Sequence, residues 1–355
     1  MRFLIRADAS QSIGTGHVVR CATLAHQLTA AGHEVRFLCR RQPGDLIGWL
    51  EAQGLPVAPL SSGDHDQSAD AALCCDLVGP SRFDWLIVDH YTLDAVWERA
   101  MTDTAHRIFA IDDLGRAHAC DLLLDQNYAS PTHDLYRAKV PARCQFLFGP
   151  EFALVRPAFA ALRATSLRKS RQRLSRLLVF MGGSDPVDET TKVVSGIALA
   201  RLADLALDVV IGSSNPHRTA VERACEQLPD VALHVQTSEM AALMARADCA
   251  IGAAGSTTWE RCTLGLPALV TILAENQTQI AEKVAASGGH RLLGRYDDLS
   301  SETYVRALKE LTPDRLNAMS TAAATLCDGE GAKRVAARLL MERIDAHISA
   351  GRRHA

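Results

Sequence analysis

The sequence predicts an α/β chain of two domains, each a parallel sheet layered with helices, the two sheets facing across a cleft. Three observations carry this. Compact apolar runs alternate with amphipathic stretches along most of the 355 residues, a length sufficient for two cores. The order strand, glycine loop, helix occurs twice: Phe3-Leu4-Ile5 before Gly14-Thr15-Gly16, and Leu177-Leu178-Val179-Phe180-Met181 before Gly182-Gly183. Between them, Arg163, Arg168, Lys169, Arg171, Arg173 and Arg176 form a basic stretch with no aromatics, which reads as a solvated connection rather than a nucleic-acid surface. The expected bounds are 1–160 and 174–330, with 331–355 a C-terminal helix and tail that crosses back to the first domain.

In the first domain, Val18, Cys21, Ala22, Ala25 and Leu28 make an apolar stripe at helical spacing directly after the loop. Gly14 and Gly16 let backbone N–H groups approach a ligand, and a helix start favours an anion, so the loop is a seat for phosphate. His17 stands at the helix entrance, where an imidazole either takes a proton from water or serves as a capping or core histidine. Dinucleotide binding is disfavoured: Val19 occupies the third-glycine position, and the strand Val35–Cys39 ends in Arg40 and Arg41 instead of a ribose-binding carboxylate.

Next come a helix from Leu46 to Gln53 closed by Gly54, a short strand Pro56–Ala58, the polar loop Ser61–Asp66, and an alanine-rich helix from Asp70 to Leu77. Trp85–Val88, Arg107–Ile111 and Leu122–Leu124 are strands with polar exits. Ligands of such sheets bind at the carboxyl ends of the strands, which puts Asp8, His17, Asp89, His90, Tyr91, Asp112 and Asp113 on one edge. Asp112 and Asp113 read equally as caps or functional acids, and the Tyr91 hydroxyl suits a sugar. Phe146–Phe148 and Ala153–Val155 then carry the chain out of the sheet.

In the second domain, Gly183 and Ser184 turn out of the first strand toward a helix near Thr190, and Leu207–Ile211, Val231–Val235 and Cys249–Ile251 continue the sheet. The stretch Gly252-Ala253-Ala254-Gly255-Ser256-Thr257-Thr258-Trp259-Glu260 is the most informative. Ser256, Thr257 and Thr258 are good helix caps, and their N–H groups and hydroxyls would hold a diphosphate. Glu260 either accepts both hydroxyls of a ribose or completes a capping box, and spacing does not separate the two. Ala268–Leu273 delivers Asn276 and Gln277 to the same edge, and the remainder from Glu302 to Ile348 reads as helices.

Composition excludes several classes. A net charge of -3, with 48% hydrophobic and 22% charged residues, gives no electrostatic case for nucleic acid or an acidic membrane. The ten cysteines form no CxxC pair and read as buried thiols of a reducing cytoplasm. Asp112-Asp113 is not a DxD arrangement and no other carboxylate and histidine spacing suggests a metal, so a metal-free reaction is expected; no cofactor is expected either. No leader pattern opens the chain and no apolar run is long enough to span a bilayer, so the expected compartment is the cytoplasm. No obligatory protein partner is evident.

Two glycine-rich sheets without metal ligands resemble the Rossmann-like pair of the glycosyltransferase B architecture. More specifically, Arg6-Ala7-Asp8-Ala9-Ser10, Ile13–His17 with Arg20-Cys21, Val88-Asp89-His90-Tyr91, Ile111–Leu114, Asp125–Asn127, Gly182–Pro186, Gly255–Cys262 and Asn276-Gln277 are similar to the UDP-2,4-diacetamido-2,4,6-trideoxy-β-L-altropyranose hydrolases of pseudaminic acid biosynthesis. The likeness runs from about Met1 to Gln279; Ala254 departs from it, standing where glycine is expected. It implies release of UDP from a UDP-linked bis-acetamido 6-deoxy sugar by water, with inversion. The small-molecule UDP-sugar and water are then the partners. His17 would be the base, Tyr91 and Asn276 would orient the water or sugar, and Glu260 would hold the ribose. Gly14, Gly16, Arg20, Gly183, Ser184, Gly255, Ser256, Thr257, Thr258 and Gln277 would line the substrate site. A transferase or a 2-epimerase on the same scaffold, or a non-catalytic nucleotide-sugar sensor, are the rival readings.

Overall fold

The computed structural model describes residues 1–63, 66–127, 132–202 and 204–351. Asp64 and His65 of the expected polar loop and residues 352–355 of the tail lie outside the described residues, as do the side chains of 132–134 and 342–351. The chain forms two compact units, one of Met1–Ala9, His17–Arg156 and Glu330–Ala355, the other of Ser10–Gly16 and Pro157–Gly329.

The first unit holds strands β1 (Arg2–Ala7), β2 (Glu34–Arg40), β3 (Val57–Leu60), β4 (Phe83–Asp89), β5 (Ala105–Ile111), β6 (Leu122–Asp125) and β7 (Gln145–Phe148). Helices α1 (Gly16–Ala30), α2 (Ile47–Ala52), α3 (Gln67–Val78), α4 (Ala95–Ala100) and α5 (Thr132–Arg137) alternate with them. All seven strands are parallel, in the order β3-β2-β1-β4-β5-β6-β7. Successive residues of β1 point to opposite faces: Phe3, Ile5 and Ala7 enter one core with Val18, Cys21, Ala25 and Leu28 of α1, while Leu4 enters the other with Leu86 and Val88.

The second unit holds α6 (Pro157–Leu167), β8 (Arg176–Phe180), α7 (Glu189–Ala200), β9 (Ala206–Ile211), α8 (Arg218–Cys225), β10 (Val231–Val235), α9 (Met240–Arg246) and β11 (Cys249–Ala253). It continues with α10 (Thr257–Thr263), β12 (Ala268–Ile272), α11 (Thr278–Ala286), β13 (Arg291–Arg295), α12 (Ser301–Lys309) and α13 (Pro313–Leu326). Its six parallel strands run β10-β9-β8-β11-β12-β13. The last helix, α14 (Gly331–Gly351), belongs to the first unit, where Ala332, Val335, Ala336 and Leu339 complete the α1-side core. Its start is tight, since a Cβ at Gly331 would stand 2.3 Å from the Ala153 carbonyl oxygen.

Two expectations are corrected. Phe146–Phe148 does not leave the first sheet but pairs with β6 as its edge strand. The basic stretch is not a solvated connection. Arg163 lies in α6 and donates to the carbonyls of Thr263, Ala324 and Cys327, and Arg171 is buried, donating to the Asp248 carbonyl and the Ser320 hydroxyl. Guanidinium groups are there the partners of otherwise orphaned helix-end and strand-end carbonyls. No described helix is long and apolar enough to cross a membrane, and all ten cysteines are free, nine of them buried.

Candidate active site

Each sheet reverses its winding once, between β1 and β4 in the first unit and between β8 and β11 in the second, and open parallel sheets bind ligands at such switch points. At the first, β4 ends in Asp89 and is followed by His90 and Tyr91, while α1 opens with His17. The His17 Nδ1 donates to Asp89 Oδ1 at 2.6 Å, and the Tyr91 ring meets the imidazole edge-on, centroids 4.4 Å apart. With Nδ1 turned to a carboxylate, Nε2 is the basic nitrogen.

Asp89 is fully buried, which alone would raise its carboxyl, yet the Arg20 guanidinium and His17 hold it well below the usual carboxylate range. Arg20 grips it through both oxygens, Nε to Oδ2 and Nη2 to Oδ1, each at 2.6 Å. Arg20, expected among the substrate-binding residues, is only 7% exposed and fixes the acid that orients His17.

Behind this lies a second closed set. Arg6, 1% exposed, donates to both oxygens of Asp8 and both of Asp70; Arg40 also donates to Asp70, and His90 Nε2 stands 3.2 Å from Asp8 Oδ2. Sequence reasoning missed Arg6 and Asp70 as a pair, although an arginine inside an otherwise buried apolar strand is a signal that some acid must meet it.

Asp112 is structural: its carboxylate accepts from the Leu114 and Arg116 amides, the Arg116 side chain and the Tyr136 hydroxyl. Asp113 accepts from Asn127 at 2.8 Å through Oδ2, while its buried Oδ1 has no partner among the described residues, and burial raises its carboxyl. Gly14 is corrected. Its N–H is donated to the Ser10 carbonyl at 2.9 Å, so it serves the turn at φ +77° and not an anion.

At the second switch point the balance is different. Gly182, at φ +99°, turns the chain out of β8 into half-buried Gly183 and Ser184, and Asp185 caps α7 through the Glu189 and Thr190 amides. After β11, the Thr258 N–H goes to the Gly255 carbonyl and that of Trp259 to Ser256, whereas the amides of Gly255, Ser256 and Thr257 have no acceptor among the described residues. Ser256 makes no side-chain cap bond, and the Thr257 and Thr258 hydroxyls accept from Arg261, so the expected capping by these residues is not what the loop does. Glu260, 9% exposed, sits one turn into α10. Ala254 is buried with its backbone outside the left-handed region, so its methyl group brings no strain. Beyond β12, Gln277 accepts from the Leu273 amide at 2.9 Å and its amide nitrogen lies 4.0 Å from where a Cβ at Gly255 would stand; Asn276 is exposed beside it.

Two parallel-sheet units with these switch points define a two-domain α/β protein of the glycosyltransferase B type. MurG of Acinetobacter baumannii superposes with a TM-score of 0.67 at 15% identity, covering 96% of this chain and 100% of that one. UDP-GlcNAc 2-epimerase from Neisseria meningitidis bound to UDP-GlcNAc gives 0.66 at 13% identity, with 96% and 100% covered. Residues 177–339 match the glycosyltransferase family 28 C-terminal domain. In sequence the chain is similar to the UDP-2,4-diacetamido-2,4,6-trideoxy-beta-L-altropyranose hydrolase of Campylobacter jejuni subsp. jejuni serotype O:2, 27% identical over 289 residues, which are 81% of this chain and 97% of that protein.

Proposed function

We propose that this chain hydrolyses a UDP-linked 2,4-diacetamido-2,4,6-trideoxy sugar, releasing UDP and the free sugar. The observation that carries the reading is the 2.6 Å bond from His17 to a buried, charged Asp89, which readies one imidazole nitrogen as a base. In this reading His17 Nε2 takes a proton from water as the water oxygen bonds to the anomeric carbon. The bond from that carbon to the diphosphate oxygen breaks, and its electron pair leaves with UDP. One displacement gives inversion.

The amides of Gly255, Ser256 and Thr257 and the hydroxyl of Ser256 take the charge of the departing diphosphate, with Gly16, Gly183, Ser184 and Thr258 beside it. Glu260 receives the ribose hydroxyls, Gln277 steadies the loop, and Tyr91 and Asn276 orient water or sugar. The hydrolase relative of Campylobacter jejuni supports the choice of substrate. A second reading, transfer of the sugar to an acceptor, is favoured by the match of residues 177–339 to a glycosyltransferase domain.

The test is UDP release from a panel of UDP-sugars with water as the only acceptor. Turnover is expected with a bis-acetamido sugar, the first-formed anomer seen by proton NMR is inverted, and His17→Gln lowers kcat about 10³-fold. UDP release only in the presence of an acceptor favours the transferase. A product changed at C2 favours an epimerase.

A further inference from the structure

Arg261 lies one turn into α10 and is 3% exposed. Its guanidinium folds back beneath the preceding loop. Nη2 donates to the Ala253 carbonyl at 3.0 Å and to Thr258 Oγ1 at 3.1 Å, and Nη1 to Thr257 Oγ1 at 3.3 Å. Gly252 leaves the space for it: a Cβ there would stand 3.0 Å from Nη1 and 2.7 Å from the Phe180 carbonyl oxygen. The cation therefore sits where β11 adjoins β8, at the switch point itself.

No carboxylate comes within ion-pair distance of Arg261 among the described residues, whereas Arg6 and Arg20, as deeply buried, are neutralised by Asp8, Asp70 and Asp89. Burial accordingly pulls Arg261 down to about 10, and burial together with this cation pushes His290 down to about 4. Glu260, next in the chain, acts on it only from beyond ion-pair distance, and a buried charge met so weakly is costly unless a further group of opposite sign pairs with it. The polarity of the loop points the same way. Because both threonine oxygens accept from the guanidinium, their O–H protons are left to donate, that of half-buried Thr257 and that of buried Thr258, beside the three amides that lack acceptors among the described residues.

We propose that Arg261 supplies the positive charge for the diphosphate of the bound nucleotide and sets the Thr257 and Thr258 hydroxyls as its donors. The inference rests on the UDP reading above and deepens it: the loop selects a nucleoside diphosphate over the bare nucleoside through a positioning residue beneath it.

The experiment is calorimetric titration of the full chain with UDP and with uridine, alongside ligand-free thermal unfolding. Arg261→Gln is expected to weaken UDP about 30-fold, the size of a lost charge-assisted hydrogen-bond set, while uridine changes less than about twofold and the ligand-free Tm does not fall. Arg261→Lys keeps the charge without the fork and is expected to weaken UDP about fivefold. It carries the test should the glutamine variant fail to fold. Equal weakening of UDP and uridine, or unchanged UDP affinity, in the folded variant overturns the inference. A wild-type chain that binds neither ligand overturns the nucleotide reading itself, and this inference with it.

Discussion

At the β1/β4 switch point the buried arginines are met by acids: Arg6 by Asp8 and Asp70, and Arg20 by Asp89, with His17 joined to the same carboxylate. At β8/β11 the pattern is reversed: among the described residues three amides have no acceptor, and one buried arginine, bonded to two hydroxyls, has no carboxylate within ion-pair distance. Both places are the ends of adjacent parallel strands, so topology alone does not set the difference. The first is saturated and rigid, suited to aiming one nitrogen; the second is under-satisfied and donor-rich, suited to receiving an anion.

The largest expected effect is at Asp89. Asp89→Asn leaves the buried Arg20 without a counter-charge and offers His17 Nδ1 a poorer acceptor, so UDP release should fall about 10⁴-fold and unfolding free energy by about 3 kcal/mol. A folded variant retaining a tenth of the rate would break the assignment of catalysis to the first switch point.

A smaller effect concerns pH, and again separates the saturated region from the other. Burial alone would lower His118, but its contacts with Asp112 at 3.6 Å and Glu98 at 2.7 Å raise it to about 9. A folded-state value above the unfolded one stabilises fully below about pH 6.5, and that contribution disappears as pH rises through about 9. In denaturant unfolding, His118→Gln should therefore cost about 3 kcal/mol near pH 6 and much less at pH 9.5. A pH-independent difference would show that the imidazolium is not formed in the folded chain.

The smallest effect is at the under-satisfied end. Ser256 makes no cap bond, so Ser256→Ala should leave Tm unchanged and weaken UDP only about threefold in titration. A lowered Tm would mean that the serine is structural after all, and the contrast between the two regions would narrow.

Much of this was legible in the residue order. Apolar runs located most of the strands, and glycine loops marked the two places where chemistry-bearing residues gather. What was lost is instructive. β13 (Arg-Leu-Leu-Gly-Arg) carries arginines at both ends and a glycine inside, so it hardly reads as a strand, and α4 is only six residues long. Ion pairing was invisible because the partners are remote: Arg6 and Asp70 are 64 residues apart, and His17 and Asp89 are 72. Arg20 was placed among the substrate-lining residues by the resemblance alone; its bond to Asp89, 69 residues away, could not be read from the sequence.

The placement of α14 has a consequence for biogenesis. Its apolar residues finish the core begun by Phe3 and Ile5, so the amino-terminal sheet cannot seal while the ribosome is still making the middle of the chain. Apart from residues 10–16 the second unit is contiguous and can condense as soon as it emerges. The half translated earliest is thus the half whose core needs the residues of α14, some two hundred positions further on, for its completion.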